Sequence, residues 1–312
     1  MSCKPYERVG RLVGHDGSIQ AMCFTDDDHH YCLTGGADRT VRLWNPLRLD
    51  DKLGGEAFTI HVYRDGHVHP ISALACAETT LLSASNKTLV VTDMVTDKIR
   101  IRIPNGHDGR IQNVDIRNDA IYASASYDGT VKLWDARNLV RQTPLQICRE
   151  AKDSVSSFQF DQPHTFYTAS IDGSVRLYDL RKGSITCCNV GSPIVSMALT
   201  YDSILVSCMD GCMRLLDKSL CEQLNTYYGS HTTEKYSVGC AITSSLAITG
   251  SERQYAAVLY DILSSEVIQT LQPHDGNKAT CCVAAYDSCI VTATHGGENS
   301  VWTNNPLLVS LE

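Results

Sequence analysis

The stretch that decides the fold is "TGGADRTVRLWN" at residues 34–45, because the chain repeats it. Close copies are "SASYDGTVKLWD" at residues 124–135 and "TASIDGSVRLYD" at residues 168–179. In each copy, two short runs rich in strand-forming residues flank a turn that contains an aspartate, the pattern of two antiparallel strands. Similar stretches at a regular spacing are typical of a fold built from repeated units.

Four weaker copies extend the pattern along the chain: "SASNKTLVVTD" (83–93), "VSCMDGCMRLLD" (206–217), "TGSERQYAAVLYD" (249–261) and "TATHGGENSVWT" (292–303). The seven copies end at residues 45, 93, 135, 179, 217, 261 and 303, so neighbouring ends lie 38 to 48 residues apart. Upstream of four copies stands a histidine: His15, His67, His107 and His231. A unit of this length is typical of one four-stranded propeller blade.

The repeats therefore predict an all-β fold, a single domain over residues 1–312 that forms a seven-bladed WD40-type β-propeller with four antiparallel strands per blade. A propeller has to close, because an open sheet edge invites pairing with other chains. We expect residues 6–12 to supply the outermost strand of the last blade, beside residues 300–302. The N-terminal strand would then close the ring.

The composition narrows the classes of function. The 312 residues carry a net charge of −8, with a pI of about 5.7, so no basic surface predicts direct binding of nucleic acid. No apolar run approaches the roughly 20 residues of a membrane span, and the N-terminus lacks the apolar run of a signal peptide. Several of the fourteen cysteines lie in apolar strand-like runs. We expect a soluble intracellular protein with reduced thiols.

Two complete copies contain a histidine, a hydroxyl residue, an aspartate and a tryptophan at matching positions: His15, Thr34, Asp38 and Trp44, then His107, Ser124, Asp128 and Trp134. A serine, a histidine and an aspartate could form a catalytic triad. However, the set recurs from copy to copy, whereas a catalytic site is normally built once. We interpret both sets as structural hydrogen-bond networks and expect no catalytic residue, no cofactor and no metal ion.

Exposed turn residues are the candidate functional residues. The positions just before the turn aspartate and just before the first strand of a blade should surround the central channel on the narrow face of a propeller. They include Arg110, Tyr127, Lys152, Ile171, Met209, Tyr236 and Arg253, with Ala37, Ser154 and Pro193. Arginine and tyrosine are frequent in binding hot spots, and methionine adapts to varied partners. The sequence therefore predicts a protein-binding surface on this face.

The repeats resemble the WD family over nearly the whole chain. The segments "YCLTGGADRTVRLWNPLR" (31–48), "DGSVRLYDLRKG" (172–183) and "MRLLDK" (213–218) resemble one branch of it, the mitogen-activated protein kinase organizer scaffolds. The resemblance implies a non-catalytic adaptor that gathers kinases of the MAP-kinase cascade and also occurs in spliceosomal complexes. It further implies a cytoplasmic and nuclear protein that is a monomer within larger complexes. The copy that ends at 261 departs from the pattern because it lacks the turn aspartate, and Asn86 replaces that aspartate in the second copy.

A second binding function stays open. The stretch Trp134-Asp135-Ala136-Arg137 matches, and Tyr178-Asp179-Leu180-Arg181 approximates, the W-D-x-R pattern of substrate receptors for cullin-type ubiquitin ligases. In that alternative, Arg137 and Arg181 would contact the ligase adaptor.

Overall fold

The computed structural model describes residues 4–25, 31–50, 56–117, 120–137, 142–233, 238–252, 255–272, 278–286, 288–297, 299–305 and 310–311. Within these ranges the regular structure consists of β-strands alone, β1 to β29. They form seven four-stranded blades in sequence order, with the fourth strand of the last blade taken from the N-terminus. This architecture confirms the predicted all-β propeller.

We name the strands of a blade a to d from the inside of the ring outwards. Blade 1 contains β2 (Ile19–Phe24), β3 (Cys32–Gly36), β4 (Val41–Asp50) and β5 (Glu56–Tyr63). Blade 2 contains β6 (Ala73–Ala77), β7 (Thr80–Ser85), β8 (Thr88–Asp93) and β9 (Lys98–Ile103). Blade 3 contains β10 (Ile111–Arg117), β11 (Ile121–Ser126), β12 (Val131–Asp135) and β13 (Gln146–Cys148). Blade 4 contains β14 (Val155–Phe160), β15 (Thr165–Ser170), β16 (Ser174–Asp179) and β17 (Ser184–Asn189).

The remaining blades follow the same order. Blade 5 contains β18 (Ile194–Leu199), β19 (Ser203–Cys208), β20 (Met213–Asp217) and β21 (Gln223–Tyr227). Blade 6 contains β22 (Cys240–Ile242), β23 (Leu246–Gly250), β24 (Ala257–Asp261) and β25 (Val267–Leu271). Blade 7 contains β26 (Thr280–Tyr286), β27 (Cys289–Thr294), β28 (Asn299–Thr303) and β1 (Glu7–Leu12), and β29 covers Ser310–Leu311.

The N-terminal strand closes the ring as the sequence predicts. β1 pairs antiparallel with β28, with Arg8 opposite Trp302 and Arg11 opposite Ser300. Just before β1, Tyr6 donates its backbone N–H to Gln269 Oε1 at 2.8 Å, and Gln269 Nε2 donates to the Tyr6 carbonyl at 2.7 Å. The side-chain amide of Gln269 thus pairs with the backbone as another strand would, and it fastens the N-terminus to blade 6.

The seam between blades 7 and 1 has a second connection that the sequence did not predict. β1 also pairs in parallel with β5, with Arg11 opposite Glu56 and Leu12 opposite Ala57. β4 extends beyond Asn45, where the first copy ends, as far as Asp50, and β29 pairs in parallel with it. The two blades therefore belong to one continuous sheet.

The hydrophobic core lies between neighbouring blades. One cluster joins Val131 and Leu133 of blade 3 to Phe158 and Phe166 of blade 4. The strands b are buried along most of their length, whereas β17 and β9, two of the outer strands d, are mostly exposed. Small residues in strands b, such as Ala123, let the neighbouring blade approach closely. Each blade thus depends on its neighbours for burial of apolar surface.

The aspartate that ends several copies closes the turn between strands c and d. The carboxylate of Asp217 accepts from the backbone N–H groups of Ser219 and Leu220, at 2.7 and 2.8 Å. Asp93, Asp179 and Asp261 make the same pair of contacts in their own turns. A carboxylate in this position satisfies turn N–H groups that no strand partner reaches.

One disulfide corrects the expectation that all thiols are reduced. Cys188 on β17 and Cys221 in the c–d turn of blade 5 are bonded, with their Cα atoms 5.5 Å apart. The other described cysteines are not disulfide-bonded. The sequence correctly predicted that several cysteines lie in apolar strands. It could not show that strand d of one blade meets the turn of the next blade at two cysteines.

The interaction face and its polar networks

The narrow face is the end of the ring that carries the b–c turns and the connections from strand d to the next strand a. One backbone hydrogen bond recurs there and joins a turn to a connection. Tyr127 N–H donates to the Arg110 carbonyl at 2.9 Å, and Met209 N–H donates to the Pro193 carbonyl at 2.9 Å. Ile171 bonds in the same way to Ser154, and Ala37 to Ser18. The structure thus brings the predicted face residues together in pairs.

Several of these side chains are available to a partner. Tyr127 is 53% exposed and Met209 is 43% exposed, and Arg110 and Lys152 are exposed as well, whereas Ile171 is half-buried. The hydrogen-bonded backbone beneath these side chains does not have to be ordered when a partner binds, which reduces the entropy cost of binding. Tyr236 and Arg253 lie outside the described residues.

A cavity of about 420 Å³ runs between the strands a of the blades and opens beside Arg110 and Tyr127. Arg110 Nη2 donates to Gln20 Oε1 of blade 1 at 2.7 Å and so connects two blades at the cavity. In the same cavity, Gln112 Nε2 and Asn113 Oδ1 are buried without a hydrogen-bond partner. The lining is therefore polar, and it is suited to polar groups of a ligand more than to apolar ones.

Beneath the narrow face, blade 1 holds the first predicted network. The distance from His15 Nδ1 to Asp38 Oδ2 is 2.9 Å, and that from His15 Nε2 to Thr34 Oγ1 is 2.8 Å. Trp44 Nε1 donates to the same Thr34 oxygen at 2.7 Å. Burial alone would raise the pKa of Asp38, but the charge of His15 and hydrogen bonds from Thr40 and His15 hold that pKa below its usual value. Burial outweighs the attraction of Asp38 and lowers the pKa of His15.

Blade 3 repeats this geometry. His107 Nδ1 lies 2.9 Å from Asp128 Oδ2, His107 Nε2 lies 2.8 Å from Ser124 Oγ, and Trp134 Nε1 donates to Ser124 Oγ at 2.9 Å. The His107 side chain has no exposed surface, and Ser124 is fully buried. A hydroxyl that is buried and already bonded to an indole cannot attack a substrate. The arrangement can brace a blade, and it offers no chemistry to a ligand.

Blades 4 and 5 lack the histidine and use an arginine that the sequence reasoning missed. In blade 4, Arg176 donates to both carboxylate oxygens of Asp172, at 2.6 and 3.3 Å, and both side chains are buried. In blade 5, Arg214 pairs with Asp210 through Nη2 alone, and its Nη1 is buried without a hydrogen-bond partner. Both arginines stand four residues after the turn aspartate in the copies without a histidine, and this spacing was the available signal. The tyrosine in the tryptophan position of blade 4, Tyr178, donates to Glu150 at 3.0 Å.

The networks of the other blades are incomplete among the described residues. In blade 2, His67 Nε2 lies 2.7 Å from Ser83 Oγ, while His67 Nδ1 is buried without a partner. In blade 6, His231 Nδ1 lies 2.7 Å from the Tyr260 hydroxyl. In blade 7, Trp302 Nε1 donates to Thr292 Oγ1 at 3.0 Å.

The arginines of the W-D-x-R stretches lie in c–d turns, at the opposite end of the blades. The Arg137 side chain is 81% exposed, and its Nε lies 3.2 Å from Asp135 Oδ1. Hydrogen bonds from the Arg137 backbone and side chain lower the pKa of Asp135. Arg181 is exposed too, and its backbone N–H donates to Asp179 at 2.9 Å. Both guanidinium groups can be reached from solvent.

The described residues contain no group of three or more His, Cys, Asp or Glu side chains that could hold a metal ion. They also contain no helix of the length and apolar character that a bilayer span requires.

Seven closed four-stranded blades with histidine–aspartate networks beneath one face define a WD-repeat propeller, a class whose members are typically non-catalytic interaction scaffolds. The WD domain, G-beta repeat family matches residues 6–45, 99–135 and 142–179. WD repeat domain-containing protein 83 of Rattus norvegicus is 30% identical over 302 residues, which cover 96% of this chain and 92% of that protein. The chain belongs to the family of WD repeat domain-containing protein 83.

Two further similarities agree with this assignment. The WD repeat domain-containing protein 83 homolog of Dictyostelium discoideum is 28% identical over 297 residues, covering 84% of this chain and 87% of that protein. The crystal structure of the WD40 beta propeller domain of Doa1 has a TM-score of 0.78 at 16% identity, and the match covers 98% of this chain and 99% of that chain. At this level of identity, the second similarity concerns the fold alone.

Proposed function

We propose that this protein is a non-catalytic scaffold that binds partner proteins through its narrow face and brings them together. The observation that carries the proposal is the group of exposed side chains on the narrow face, Arg110, Tyr127 and Met209, on turns and connections that a repeated backbone hydrogen bond holds together. Arginine and tyrosine supply much of the binding energy in protein interfaces. The buried histidines and hydroxyls of blades 1 and 3 serve the stability of the blades.

We propose components of the MAP-kinase cascade as the partners. We also propose that the protein is a subunit of a splicing complex. This part rests on the resemblance of residues 31–48, 172–183 and 213–218 to the organizer scaffolds. The same resemblance leads us to propose a cytoplasmic and nuclear location and a monomeric state within larger complexes.

The test is affinity purification of the tagged chain from cells, followed by mass spectrometry. The variant carries Arg110→Ala and Tyr127→Ala together, and the control carries Tyr201→Ala, which removes a 98% exposed tyrosine from an a–b turn at the opposite end of blade 5. We expect the double variant to lose a set of partners at least about tenfold and the control to keep them. Unchanged recovery by the double variant, at an unchanged melting temperature, would overturn the narrow-face proposal.

A second candidate function is favoured by one observation, the exposed guanidinium of Arg137 in a W-D-x-R stretch. A substrate receptor of a cullin-type ligase would recover the ligase adaptor in the same purification and lose it on Arg137→Ala. A scaffold of the organizer type would instead recover kinases or splicing factors, and Arg137→Ala would not affect them.

A further inference from the structure

Blade 2 has the histidine of the network without the aspartate that accompanies it in blades 1 and 3. Its b–c turn consists of Asn86 and Lys87, because Ser85 already pairs with Thr88. In blades 1 and 3 the carboxylate of the turn accepts from the histidine Nδ1 at 2.9 Å. In blade 2 the corresponding atom, His67 Nδ1, is buried and has no hydrogen-bond partner.

The surroundings indicate which group this atom needs. Ser83 Oγ lies 2.7 Å from His67 Nε2 and 3.4 Å from the Val90 carbonyl, so its hydroxyl proton is best placed toward the imidazole. A neutral imidazole that accepts at Nε2 carries its proton on Nδ1. His67 Nδ1 is then a buried donor with no acceptor, which is costly in a folded protein.

One guanidinium lies close to this donor. Arg102 Nη2 donates to the carbonyl of Gly66, the residue before His67, at 2.7 Å. Burial, followed by the charge of Arg102, lowers the pKa of His67 to about 4. Lys87 belongs to the b–c turn itself, and its backbone carbonyl accepts from Gly106 N–H at 2.9 Å. The turn that lacks an aspartate thus contains a lysine and lies near an arginine.

The charge of the neighbouring sequence has the same sign. Residues 87–152 contain eleven Lys and Arg against eight Asp and Glu, although the whole chain has a net charge of −8. Several of those acidic groups are already engaged, such as Asp93 with Arg100 and Asp128 with His107. This stretch therefore has a formal charge opposite in sign to that of the whole chain, which favours an acidic ligand over a basic one here.

We propose that blade 2 carries a site on the narrow face for a carboxylate side chain of a partner protein, which accepts from His67 Nδ1 and pairs with Arg102 and Lys87. The partner's aspartate or glutamate supplies the acceptor that blades 1 and 3 take from their own turns. The inference rests on the proposed scaffold function and specifies one partner contact as an acidic peptide segment. Because His67 Nδ1 is buried, a neighbouring side chain has to move before the partner's carboxylate can reach it. Arg102 is exposed and can do so.

The test uses the full chain and a blocked hexapeptide that contains four Asp or Glu residues. The comparison ligands are the same peptide with Asn and Gln in those positions, and acetate at equal carboxylate concentration. Binding is measured by calorimetry, and the His67 imidazole nitrogens are followed by NMR. We expect the acidic peptide to bind at least tenfold more tightly than the amide peptide and to shift the His67 Nδ1 signal.

The variants separate a defined site from general charge attraction. Arg102→Gln and His67→Gln should each weaken binding at least fivefold, and Lys87→Asp, which returns a carboxylate to the turn, should abolish it. Lys98→Gln removes an exposed cation from the start of β9, at the other end of blade 2, and should leave binding within twofold. Because Arg102 is exposed, its variant keeps the fold even where His67→Gln does not.

Three results would overturn the site: equal binding of acidic and amide peptides, an equal His67 shift with acetate alone, or an equal loss with Lys98→Gln and Arg102→Gln. The scaffold function is judged separately by the purification experiment. If the Lys87→Asp variant recovers every partner in the purification, the carboxylate site is refuted and the scaffold function is not. If the peptide binds but no partner is recovered, the scaffold fails.

Discussion

A single hydroxyl oxygen connects the polar network of blade 1. Thr34 Oγ1 accepts the indole proton of Trp44 and donates its own proton to His15, whose other nitrogen donates to Asp38. Ser124 occupies the same position in blade 3. The hydroxyl and the histidine each have two partners in the network, so removal of either leaves buried groups without partners. The cost of such a group is about 1–3 kcal/mol.

The first prediction concerns His107. His107→Ala should lower the free energy of unfolding by about 1–3 kcal/mol, because Asp128 and Ser124 lose a buried partner. Denaturant unfolding measures the change, and His164→Ala, at an exposed histidine, is the control. Partner binding by the folded variant should be unchanged. Unaltered stability, or loss of a hydrolytic activity without loss of stability, would contradict the structural role.

The second prediction concerns the loss of stability at acidic pH. His231 is buried, and burial lowers its pKa from 6.5 to about 4. The unfolded chain therefore binds the proton more readily, so the stability that neutral His231 contributes is present above pH 6.5 and is lost as the pH falls toward 4. The loss should reach about 2–3 kcal/mol. Chemical unfolding at pH 7, 5.5 and 4 should show a smaller loss for His231→Phe than for the wild type, and equal losses would contradict the assignment.

At the level of single residues, sequence reasoning found the networks that contain a histidine and missed those that contain an arginine. The first were recognisable because histidine, hydroxyl, aspartate and tryptophan recur together. Arg176 was not recognised because blades 1 and 3 also carry a cation four residues after the turn aspartate, Arg42 and Lys132. Lys132 bonds to a backbone carbonyl there. In blade 1, Arg42 Nη2 lies 3.8 Å from Asp38 Oδ2, which also contacts His15. The same spacing therefore accompanies three different contacts, and packing decides which one forms.

Among the elements, the outer strands differ most from one blade to another. β13 has three residues, β17 has six, and β5 has eight and pairs with a neighbouring blade. An outer strand packs on one partner only, so its sequence is less restricted and the repeats are least similar there. The inner strands were therefore predictable from the repeat, and the outer strands other than β1 were not. The disulfide between Cys188 of β17 and Cys221 of the next blade could not be predicted for the same reason.

The third prediction concerns that bond. Cys188 and Cys221 close a loop of 33 residues, which should contribute about 3–4 kcal/mol to stability. A reducing agent should therefore lower the melting temperature of the wild type and have no effect on Cys221→Ser. Cys187→Ser is the matched control, because Cys187 is exposed and adjacent and should leave the effect of the reductant in place. A wild type that is indifferent to reductant would contradict the prediction.

For the whole molecule, closure of the ring depends on a few residues at its start. Leu12 is 1% exposed and packs against Trp44 and Leu49 of blade 1 and Val301 of blade 7. Tyr6 is buried in the cluster between blades 6 and 7. The first dozen residues thus contribute to the cores of three blades, although they form only one strand.

The fourth prediction follows from this position. Deletion of residues 1–12 should lower the melting temperature of the whole chain or prevent its folding, because β28 loses its partner and two cores lose apolar side chains. A milder test compares Leu12→Ala, which should cost about 2–5 kcal/mol, with Val13→Ala at the next, half-exposed position, which should be nearly neutral. A deletion variant that melts like the wild type would contradict the closure.

The pairing of β1 with β28 also has a consequence for synthesis. β1 needs a partner that is made nearly 290 residues later, a delay of about 15–60 s at ordinary elongation rates. Until then the nascent chain exposes an apolar segment and an unfinished last blade. Such a high contact order makes closure the late step of folding, and in that interval the polypeptide most needs protection by chaperones.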